Sequence, residues 1–366
     1  MNVVFRERMY LRTNFPLFGL SWLHFLNDGA ANFLPGVLPA LLVSLGQSVV
    51  MASTSMTALL IGQAVQPAMG VISDRLGGKT LILVGVMGTN LGMALIGWVN
   101  SVFLLFPVLF LMGLANSIFH PQALTAARSL AKQRHGGVLS VFLVGGELGR
   151  GIWPLFASFV IVEWGRQDLW MLALITLVSI PLLIPALPNL PPRHRDRTPI
   201  AWGKHWRPAI MLVAFVATRS LILLALLTYL PIQWRQQGGG LTGGAALIST
   251  ILVVGVIGNV GGGWFSDRFG RRKSLLVSSA LILVTLGLLL ISKGWISWPL
   301  LGVLGIALFS TLPTTVVIGQ DIFPENRALG SGIALGLGNA CAAAGLLLYG
   351  ILVAHLGIDH AFWILC

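Results

Sequence analysis

Residues Gly70–Thr80 read G-V-I-S-D-R-L-G-G-K-T, a short charged turn, broken by glycine, between two long apolar runs. The pattern returns at Gly263–Lys273, which reads G-W-F-S-D-R-F-G-R-R-K. The aspartates of the two copies, Asp74 and Asp267, are 193 residues apart, a little over half the chain. Because solenoid repeats have periods of only about 20 to 50 residues, this spacing indicates duplication of a unit of many helices. We call these two stretches the repeat turns.

The composition places the chain in a membrane. Of its 366 residues, 56% are hydrophobic and only 9% are charged, whereas about a quarter of the residues of a soluble domain are charged. Most apolar runs reach about 20 residues, the length that a helix needs to cross the hydrocarbon core of a bilayer. They lack the alternating polarity of barrel strands, so we expect an all-α membrane protein.

The net charge of +12 raises the question of a nucleic-acid partner, since basic proteins neutralise phosphates. The positions of the charges argue against one. Of the 23 Lys and Arg residues, 18 lie at the N-terminus or in alternate loops, and the opposite loops carry only Arg166, Arg235 and Lys293. This alternation is the positive-inside pattern and predicts a cytoplasmic N-terminus.

The apolar runs divide the chain into two halves. We predict six spans in residues 1–188 and five in residues 208–366, joined by a cytoplasmic linker at 189–207 that is rich in Pro, Arg and His. The chain ends at Ala361–Cys366, which is too short to cross, so the repeat predicts a twelfth span that is truncated. Cys341 and Cys366 lie in apolar sequence and indicate neither a disulfide framework nor a thiolate metal site. We expect no metal and no cofactor, and the sequence lacks the G-x-x-x-x-G-K-[ST] motif of ATP-driven proteins.

The two six-helix halves and the duplicated D-R-x-G turn resemble the major facilitator superfamily of secondary transporters. Four further stretches resemble the fosmidomycin resistance protein family of bacterial drug-efflux carriers: His24–Asp28, Phe119–Gln122, Val144–Gly149 and Gly319–Pro324. The sequence departs from that family's pattern at Glu147 and Arg150, where a neutral Asn and a small or apolar residue are expected. The resemblance implies a multi-pass carrier of the bacterial cytoplasmic (inner) membrane, monomeric and not an enzyme, whose halves rock about a central site for a small molecule.

The resemblance also implies a gating role for the repeat turns. Their aspartates lie near helix ends, where the helix dipole favours an anion, and their basic residues are expected to pair across the turn or with lipid phosphates. The alternative is that these residues only set topology. The residues concerned are Asp74, Arg75, Lys79, Asp267, Arg268 and Arg271.

Ionisable side chains inside a span are costly, so each is a candidate for function or for a buried pair. Asp28 follows His24 by four residues, which places both on one face of the first span. A carboxyl beside an imidazole in a low dielectric can exchange a proton near neutral pH. We therefore predict that Asp28 carries a coupling proton, tuned by His24 or His120. The alternative is that Asp28 and Asn27 cap backbone groups freed near Pro35 or at a helix bend.

Two further charges share one helix face, since Glu147 and Arg150 are three residues apart. Removing one partner of a buried pair leaves a costly charge, so we favour a structural or gating pair over a substrate ligand.

Arg219 has no acidic neighbour within its own span. Its guanidinium suits a carboxylate or phosphonate, or it pairs with Asp28 or Glu147 across the halves. We count it as substrate-binding, together with four uncharged polar residues of the spans: Asn27, Gln63, Gln122 and Asn339.

The sequence thus predicts a proton-coupled antiporter that exports a small drug-like or anionic compound, with protons and the lipid bilayer as its other partners. Three alternatives stay open: a uniporter or importer of the same fold, a membrane enzyme, and a receptor-like relative that does not transport. Fold alone does not decide among cargoes.

Overall fold

A computed structural model of the chain describes residues 3–130, 135–192 and 202–366. For residues 3–14, 135–140 and 202–204, and for Asp74, Arg327 and Ala328, it describes the backbone alone. Over this part of the chain all regular structure is helical, as the apolar runs predict. The α-helices are α1 (Val3–Asn32), α2 (Leu34–Ser44), α3 (Val50–Ala64), α4 (Gln66–Leu76), α5 (Thr80–Ile96), α6 (Val102–Leu130), α7 (His135–Glu163), α8 (Trp170–Leu183), α9 (Trp202–Gln236), α10 (Leu241–Phe269), α11 (Arg271–Ile291), α12 (Ser297–Ile322), α13 (Arg327–Gly332) and α14 (Gly338–Trp363).

Eight helical stretches among the described residues are long and apolar enough to cross a membrane. They overlap the predicted spans 2 (about 53–72), 4 (103–124), 6 (169–187), 7 (208–234), 8 (245–265), 9 (274–291), 10 (299–320) and 11 (330–356). Helices α1 with α2, α5 and α7 lie at the predicted spans 1 (about 15–43), 3 (80–99) and 5 (137–162). The full count of spans remains a prediction. The eight stretches are Val50–Ser73, Val102–Leu130, Arg166–Ala186, His205–Gln236, Leu241–Phe269, Arg271–Ile291, Gly294–Ile322 and Leu329–Trp363.

Prolines divide the first two predicted spans. The helix of the first span breaks at Phe33, and Pro35 lies in the first turn of α2. The second span breaks at Val65, just before Pro67 in the first turn of α4. Proline suits the start of a helix because the backbone amide that it lacks has no partner there. Each of these spans is therefore built from two helices.

The last predicted span is irregular as well. A π-helical turn, Ile333–Leu337, joins α13 to α14, and Gly357 interrupts α14 with a φ of 78°. The short segment after Gly357 contains the buried residues Ile358 and Phe362.

The internal repeat has a structural counterpart. The nearest side chain to Gly70, which opens the first repeat turn, is that of Pro121 in α6, and the nearest to Gly263 is that of Pro313 in α12. A Cβ built on each glycine would lie 3.9 Å and 3.7 Å from the respective proline Cβ. The two halves thus place the same residue types in the same contact, as duplication predicts.

Close helix packing explains the glycine-rich stretch in α7. A methyl group on Gly149 would collide with the backbone of Phe25, and one on Gly146 would collide with the imidazole of His24. The small residues therefore let α7 approach α1 closely. This contact fixes His24 and the helix that carries Asp28.

The two halves meet through α3 with α14 and through α7 with α10. Thr57 donates a hydrogen bond of 3.2 Å to the carbonyl of Ala343, and Ser53 lies against Gly350. The main contacts of α4 and α13, which lie toward the repeat turns, are within their own halves. The bundle is therefore joined at the end opposite the repeat turns, which we call the joined end.

The first repeat turn contacts the N-terminal half and the start of the predicted linker, and the second contacts the C-terminal half. Gly77, at a φ of 61° that favours glycine, lies against the backbone of Leu190–Pro192, and Lys79 donates to the carbonyl of Ile184 at 2.9 Å. In the second turn Arg271 forms an ion pair with Asp321 at the end of α12. These contacts hold each turn to its own bundle.

The predicted linker, 189–207, is described only in part. Residues 193–201 lie outside the described residues, and α9 already begins at Trp202. The division of the chain at this linker remains a prediction.

Candidate functional site

The three residues predicted to handle a proton lie together. Asp28 is buried in α1, with 2% of its surface exposed. Nε2 of His24, one turn earlier, lies 3.4 Å from its Oδ2, and Nε2 of His120, from α6, lies 3.2 Å from its Oδ1. The sequence could place His24 beside Asp28, but the approach of His120 depends on how α6 packs against α1.

Three more side chains donate to the same carboxylate. Oδ1 accepts from Asn27 at 3.1 Å and from Asn116 at 3.3 Å, while Oδ2 accepts from Arg150 at 3.3 Å. Our sequence prediction missed Asn116. The sequence feature that could have indicated Asn116 is its spacing of four residues from His120, which places both side chains on one face of α6.

The tautomers of the two imidazoles follow from their other contacts. Nδ1 of His24 lies 2.8 Å from the carbonyl oxygen of Phe142, and Nδ1 of His120 lies 2.9 Å from that of Asn116. Because a carbonyl oxygen only accepts, each Nδ1 carries a hydrogen. Each contact between Nε2 and Asp28 then needs a further proton, on the ring or on the carboxyl group. Asp28 thus has two positions where an exchangeable proton fits.

The ring of His24 is fixed by packing. It stacks on Phe142 with the ring centroids 4.2 Å apart and an angle of 18° between planes, and Gly146 leaves no room on its other side. His120 is more accessible, with 22% of its side chain exposed. Of the two imidazoles beside Asp28, only that of His120 is therefore partly exposed.

The geometry also meets the distance requirement for a metal ion, since the donor atoms of His24, Asp28 and His120 lie within 4.8 Å of one another. Arg150 argues against this use. Its guanidinium holds a positive charge 3.3 Å from Oδ2 of Asp28 and repels a divalent cation. Protons fit the arrangement better than a metal does.

Glu147 and Arg150 lie as their spacing on α7 predicts. Nη1 of Arg150 is 3.7 Å from Oε2 of Glu147. The same guanidinium also reaches Asp28, a contact between α7 and α1 that the sequence prediction did not include. Arg150 is therefore shared by two carboxylates.

Arg219 lies on α9 in the other half and is 5% exposed. Its Nε has no hydrogen-bond partner, and among the described residues no hydrogen bond from its guanidinium is found. Glu147, on α7, is the acid whose charge acts on it, but the two residues form no ion pair. The pairing of Arg219 with Asp28 or Glu147 therefore stays a prediction.

The uncharged residues predicted to bind substrate are scattered. Asn27 belongs to the Asp28 site and accepts from Thr89 at 3.1 Å. Asn339 accepts from Ser220 at 2.6 Å. Gln63 is half-buried beside Gly113, where α3 crosses α6.

Gln122 has a different environment from these residues. It is buried, pairs with Ser73 and donates to the carbonyl of Gly78 at 2.5 Å. Its side chain thus connects α6 to the first repeat turn.

Of the predicted gating residues in the repeat turns, Lys79 and Arg271 make the contacts described above. Arg268 is exposed and its guanidinium lies 5.9 Å from the ring of Trp264. Arg75 and Asp267 are exposed as well. The side chain of Asp74 lies outside the described residues.

Five ionisable side chains thus lie together on α1, α6 and α7, and with Arg219 of α9 we call them the charge cluster: His24, Asp28, His120, Glu147, Arg150 and Arg219. Such groups within membrane-spanning helices mark pathways for protons and solutes. Two helical bundles with ionisable groups inside their membrane-spanning helices define a membrane transport protein.

Comparisons with known proteins agree with this class. The family model of the Major Facilitator Superfamily matches residues 20–325 and 244–366. The chain therefore belongs to this superfamily and is a secondary transporter of small molecules, not an enzyme.

Individual relatives are distant. The fosmidomycin resistance protein of Escherichia coli (strain K12) is 23% identical over 365 residues, covering 96% of this chain and 89% of the relative. The uncharacterized MFS-type transporter YfnC of Bacillus subtilis (strain 168) is 23% identical over 354 residues, covering 92% and 85%. Among solved structures, the nucleoside transporter NupG has a TM-score of 0.80 at 15% identity, covering 96% of each chain. At this identity the structural likeness concerns the fold.

Proposed function

We propose that this transporter is a proton-coupled antiporter that exports a small drug-like or anionic compound. The observation that carries the proposal is the setting of Asp28, a buried carboxylate whose contacts with His24 and His120 each need a proton. Proton carriers in membranes are built from such groups.

A proton at this site changes the contacts between helices. Ionised Asp28 holds Arg150 of α7 and His120 of α6. When Asp28 takes up a proton its charge is lost, and its attraction for Arg150 weakens. Arg150 then has Glu147, 3.7 Å away, as its remaining acid. Protonation thereby alters how α1 is tied to α7, the helix that contacts α10 of the other half.

We assign the repeat-turn end of the bundle to the cytoplasm, because the basic residues of the chain lie mainly at that end. The N-terminus is then cytoplasmic, and the protein lies in the bacterial cytoplasmic membrane as a monomer. Because the halves are joined at the opposite end, the conformation is inward-facing. We divide the chain into an N-terminal half at 1–188, a linker at 189–207 and a C-terminal half at 208–366.

Arg219 supports an acidic group on the cargo, since a buried guanidinium without a hydrogen-bond partner is stabilised by a carboxylate or phosphonate. Export is supported by the relative that covers 96% of this chain, which is named for resistance to fosmidomycin. Resistance through a transporter fits outward movement of the compound.

The test uses purified protein in proteoliposomes with an imposed pH gradient and a panel of candidate cargoes that includes phosphonates. We expect gradient-driven accumulation of at least one compound by the natural protein. Asp28→Asn should abolish the effect of the gradient while leaving exchange of labelled for unlabelled cargo, because the amide cannot carry the proton.

A matched control is Asp168→Asn. Asp168 lies outside the charge cluster, between α7 and α8, and accepts a hydrogen bond from Trp170. This variant should retain gradient-driven transport. Unchanged gradient-driven transport in Asp28→Asn removes Asp28 from the coupling role, and flux that a protonophore does not affect identifies a uniporter instead.

A further inference from the structure

Two tyrosine hydroxyls at the joined end have no hydrogen-bond partner among the described residues. Tyr229 of α9 is fully buried and Tyr349 of α14 is 5% exposed. Their ring centroids lie 5.7 Å apart. Because the great majority of buried polar groups are paired, two unpaired hydroxyls on neighbouring rings are unusual.

Both rings lie where the C-terminal half meets the N-terminal half. Tyr349 precedes Gly350, and a Cβ built on Gly350 would lie 2.8 Å from the Cβ of Ser53 in α3. The same built Cβ would lie 3.0 Å from the hydroxyl oxygen of Tyr229. Ser53 is the polar neighbour of Tyr229 across this contact. Ser53 donates to its own helix, at the carbonyl of Val50, and the hydroxyls of Ser53 and Tyr229 do not meet the geometry of a hydrogen bond.

Other hydroxyls close to this contact are paired. Thr57 of α3 donates to the carbonyl of Ala343 across the halves, and Thr228, the residue before Tyr229, donates to the carbonyl of Leu224 at 2.6 Å. The bond of Thr57 favours closure of the joined end. The two tyrosine hydroxyls act in the opposite direction.

Closing the joined end removes water from both tyrosine hydroxyls without replacing its hydrogen bonds. A buried hydroxyl without a hydrogen bond disfavours the state that buries it by about tenfold. When the end opens, water reaches the hydroxyls again and the penalty is lost. The rings themselves favour closure, because their apolar surface is buried in the closed state.

We propose that the hydroxyls of Tyr229 and Tyr349 weaken closure of the joined end and so set how often the transporter opens on that side. Alternating access requires both conformations to be reached, and a contact that closes too tightly would hold the protein in one of them. The inference rests on the inward-facing assignment made above. It depends neither on proton coupling nor on the chemistry of the cargo.

Ser249 of α10 offers a reporter of this opening. It is 4% exposed and lies one turn before Val253, which packs against Gly151 of α7 in the other half. Its hydroxyl has no partner within the described part of the chain, so Ser249→Cys loses no hydrogen bond and nearly keeps the side-chain volume. The thiol is protected while the joined end is closed.

The experiment measures the alkylation rate of this thiol by a charged methanethiosulfonate reagent, in lipid nanodiscs without cargo and without a gradient. The protein also carries Cys341→Ala and Cys366→Ala, because both native cysteines are exposed. Since the buried thiol reacts only during openings, its rate is proportional to the open fraction.

We expect Tyr229→Phe and Tyr349→Phe each to slow alkylation by about tenfold, and the double variant to slow it further. The thermal midpoint of each should stay equal or rise, because phenylalanine keeps the ring and removes the unpaired group. Unchanged or faster alkylation in the double variant overturns the inference. So does a lower midpoint or a failure to fold, since either would mean that the hydroxyls have stabilising partners.

A further outcome concerns the reporter alone. If the thiol of Ser249→Cys does not react at all while both tyrosines are present, the joined end does not open, and the inference is overturned as well.

Two threonines provide matched controls. Thr228→Val removes a buried hydroxyl that is paired, one residue from Tyr229. Thr176→Val removes a buried hydroxyl that is unpaired, but Thr176 lies on α8, whose main contacts are within its own half. Both should leave the alkylation rate unchanged. If Thr176→Val slows alkylation as much as the tyrosine variants do, the rate follows overall stability and the joined end has no special role.

The two proposals fail separately. Gradient-driven transport tests the antiport function, whereas alkylation without cargo or gradient tests the role of the tyrosine hydroxyls. A uniporter with slowed alkylation in the tyrosine variants would remove the first proposal and leave the second standing.

Discussion

The guanidinium of Arg150 lies 3.3 Å from the carboxylate of Asp28 and so connects α7 to α1 inside the N-terminal half. Its other terminal nitrogen lies 3.7 Å from Glu147. One guanidinium is therefore shared by two acids, and it is the nearest guanidinium to each of them. The three residues should respond unequally to substitution.

Arg150→Gln should destabilise the protein more than Glu147→Gln does. Removing Arg150 leaves two carboxylates without their shared partner, and breaking a buried pair in this way costs about 3 kcal/mol or more. Removing Glu147 leaves Arg150 paired with Asp28, and Arg219 has no ion pair with Glu147 to lose, so we expect a cost of about 1 kcal/mol. The measurement is the thermal midpoint of the detergent-solubilised protein, followed by size-exclusion chromatography.

The double variant Glu147→Gln with Arg150→Gln separates the two contacts of Arg150. If its loss of stability equals that of Arg150→Gln alone, the contact with Asp28 dominates. A double variant as stable as the natural protein would show that Arg150 serves Glu147 only, contrary to the geometry.

Gly149→Ala should impair folding strongly, because its methyl group would collide with the backbone of Phe25 in α1. Overpacking of this kind costs about 1 to 3 kcal/mol.

Gly287→Ala is the matched control, since Gly287 lies within α11 and has no atom within 4 Å of a built Cβ. It should be neutral or slightly stabilising, because alanine is the better helix former by about 1 kcal/mol. Expression level and thermal midpoint measure both, and equal behaviour of the two would rule out close packing of α1 on α7.

The sequence predicts the fold because a membrane limits the choices. Long apolar runs must form helices in lipid, and the two repeat turns indicate a duplicated unit. The matching contacts of Gly70 with Pro121 and of Gly263 with Pro313 show the same duplication in the structure. What the runs do not reveal is where a span divides. The breaks at Phe33 and Val65 depend on local geometry beside Pro35 and Pro67.

Contacts within one helix of the site follow from spacing, as His24 with Asp28 and Glu147 with Arg150 illustrate. Contacts between helices do not, because spacing along one helix says nothing about the rotation of the next. The approach of Arg150 to Asp28 and of Gln122 to Gly78 depends on such packing. Which acid comes near Arg219 depends on how the two halves meet.

Gln122→Ala tests whether this residue holds the first repeat turn or binds cargo. It leaves the hydroxyl of Ser73 and the carbonyl of Gly78 without their partner, and an unsatisfied buried group costs about 1 to 3 kcal/mol. We therefore expect faster hydrogen exchange of the amides at residues 77–80, a lower thermal midpoint and an unchanged KM for transport. A raised KM with unchanged exchange would instead assign Gln122 to the cargo.

Closure at the joined end can be tested with a pair of cysteines. Ser53 of α3 lies against Gly350 of α14, and a Cβ built on Gly350 would be 2.8 Å from that of Ser53, so a small relaxation reaches the separation of about 3.8 Å found in disulfides. The background carries Cys341→Ala and Cys366→Ala, since both native cysteines are exposed. Oxidation of Ser53→Cys with Gly350→Cys should stop transport and reduction should restore it, because alternating access requires this contact to open.

Each single cysteine is the control and should be insensitive to oxidant. Transport that continues in the fully cross-linked protein would mean that α3 and α14 stay together through the cycle, and that the halves do not part at this end.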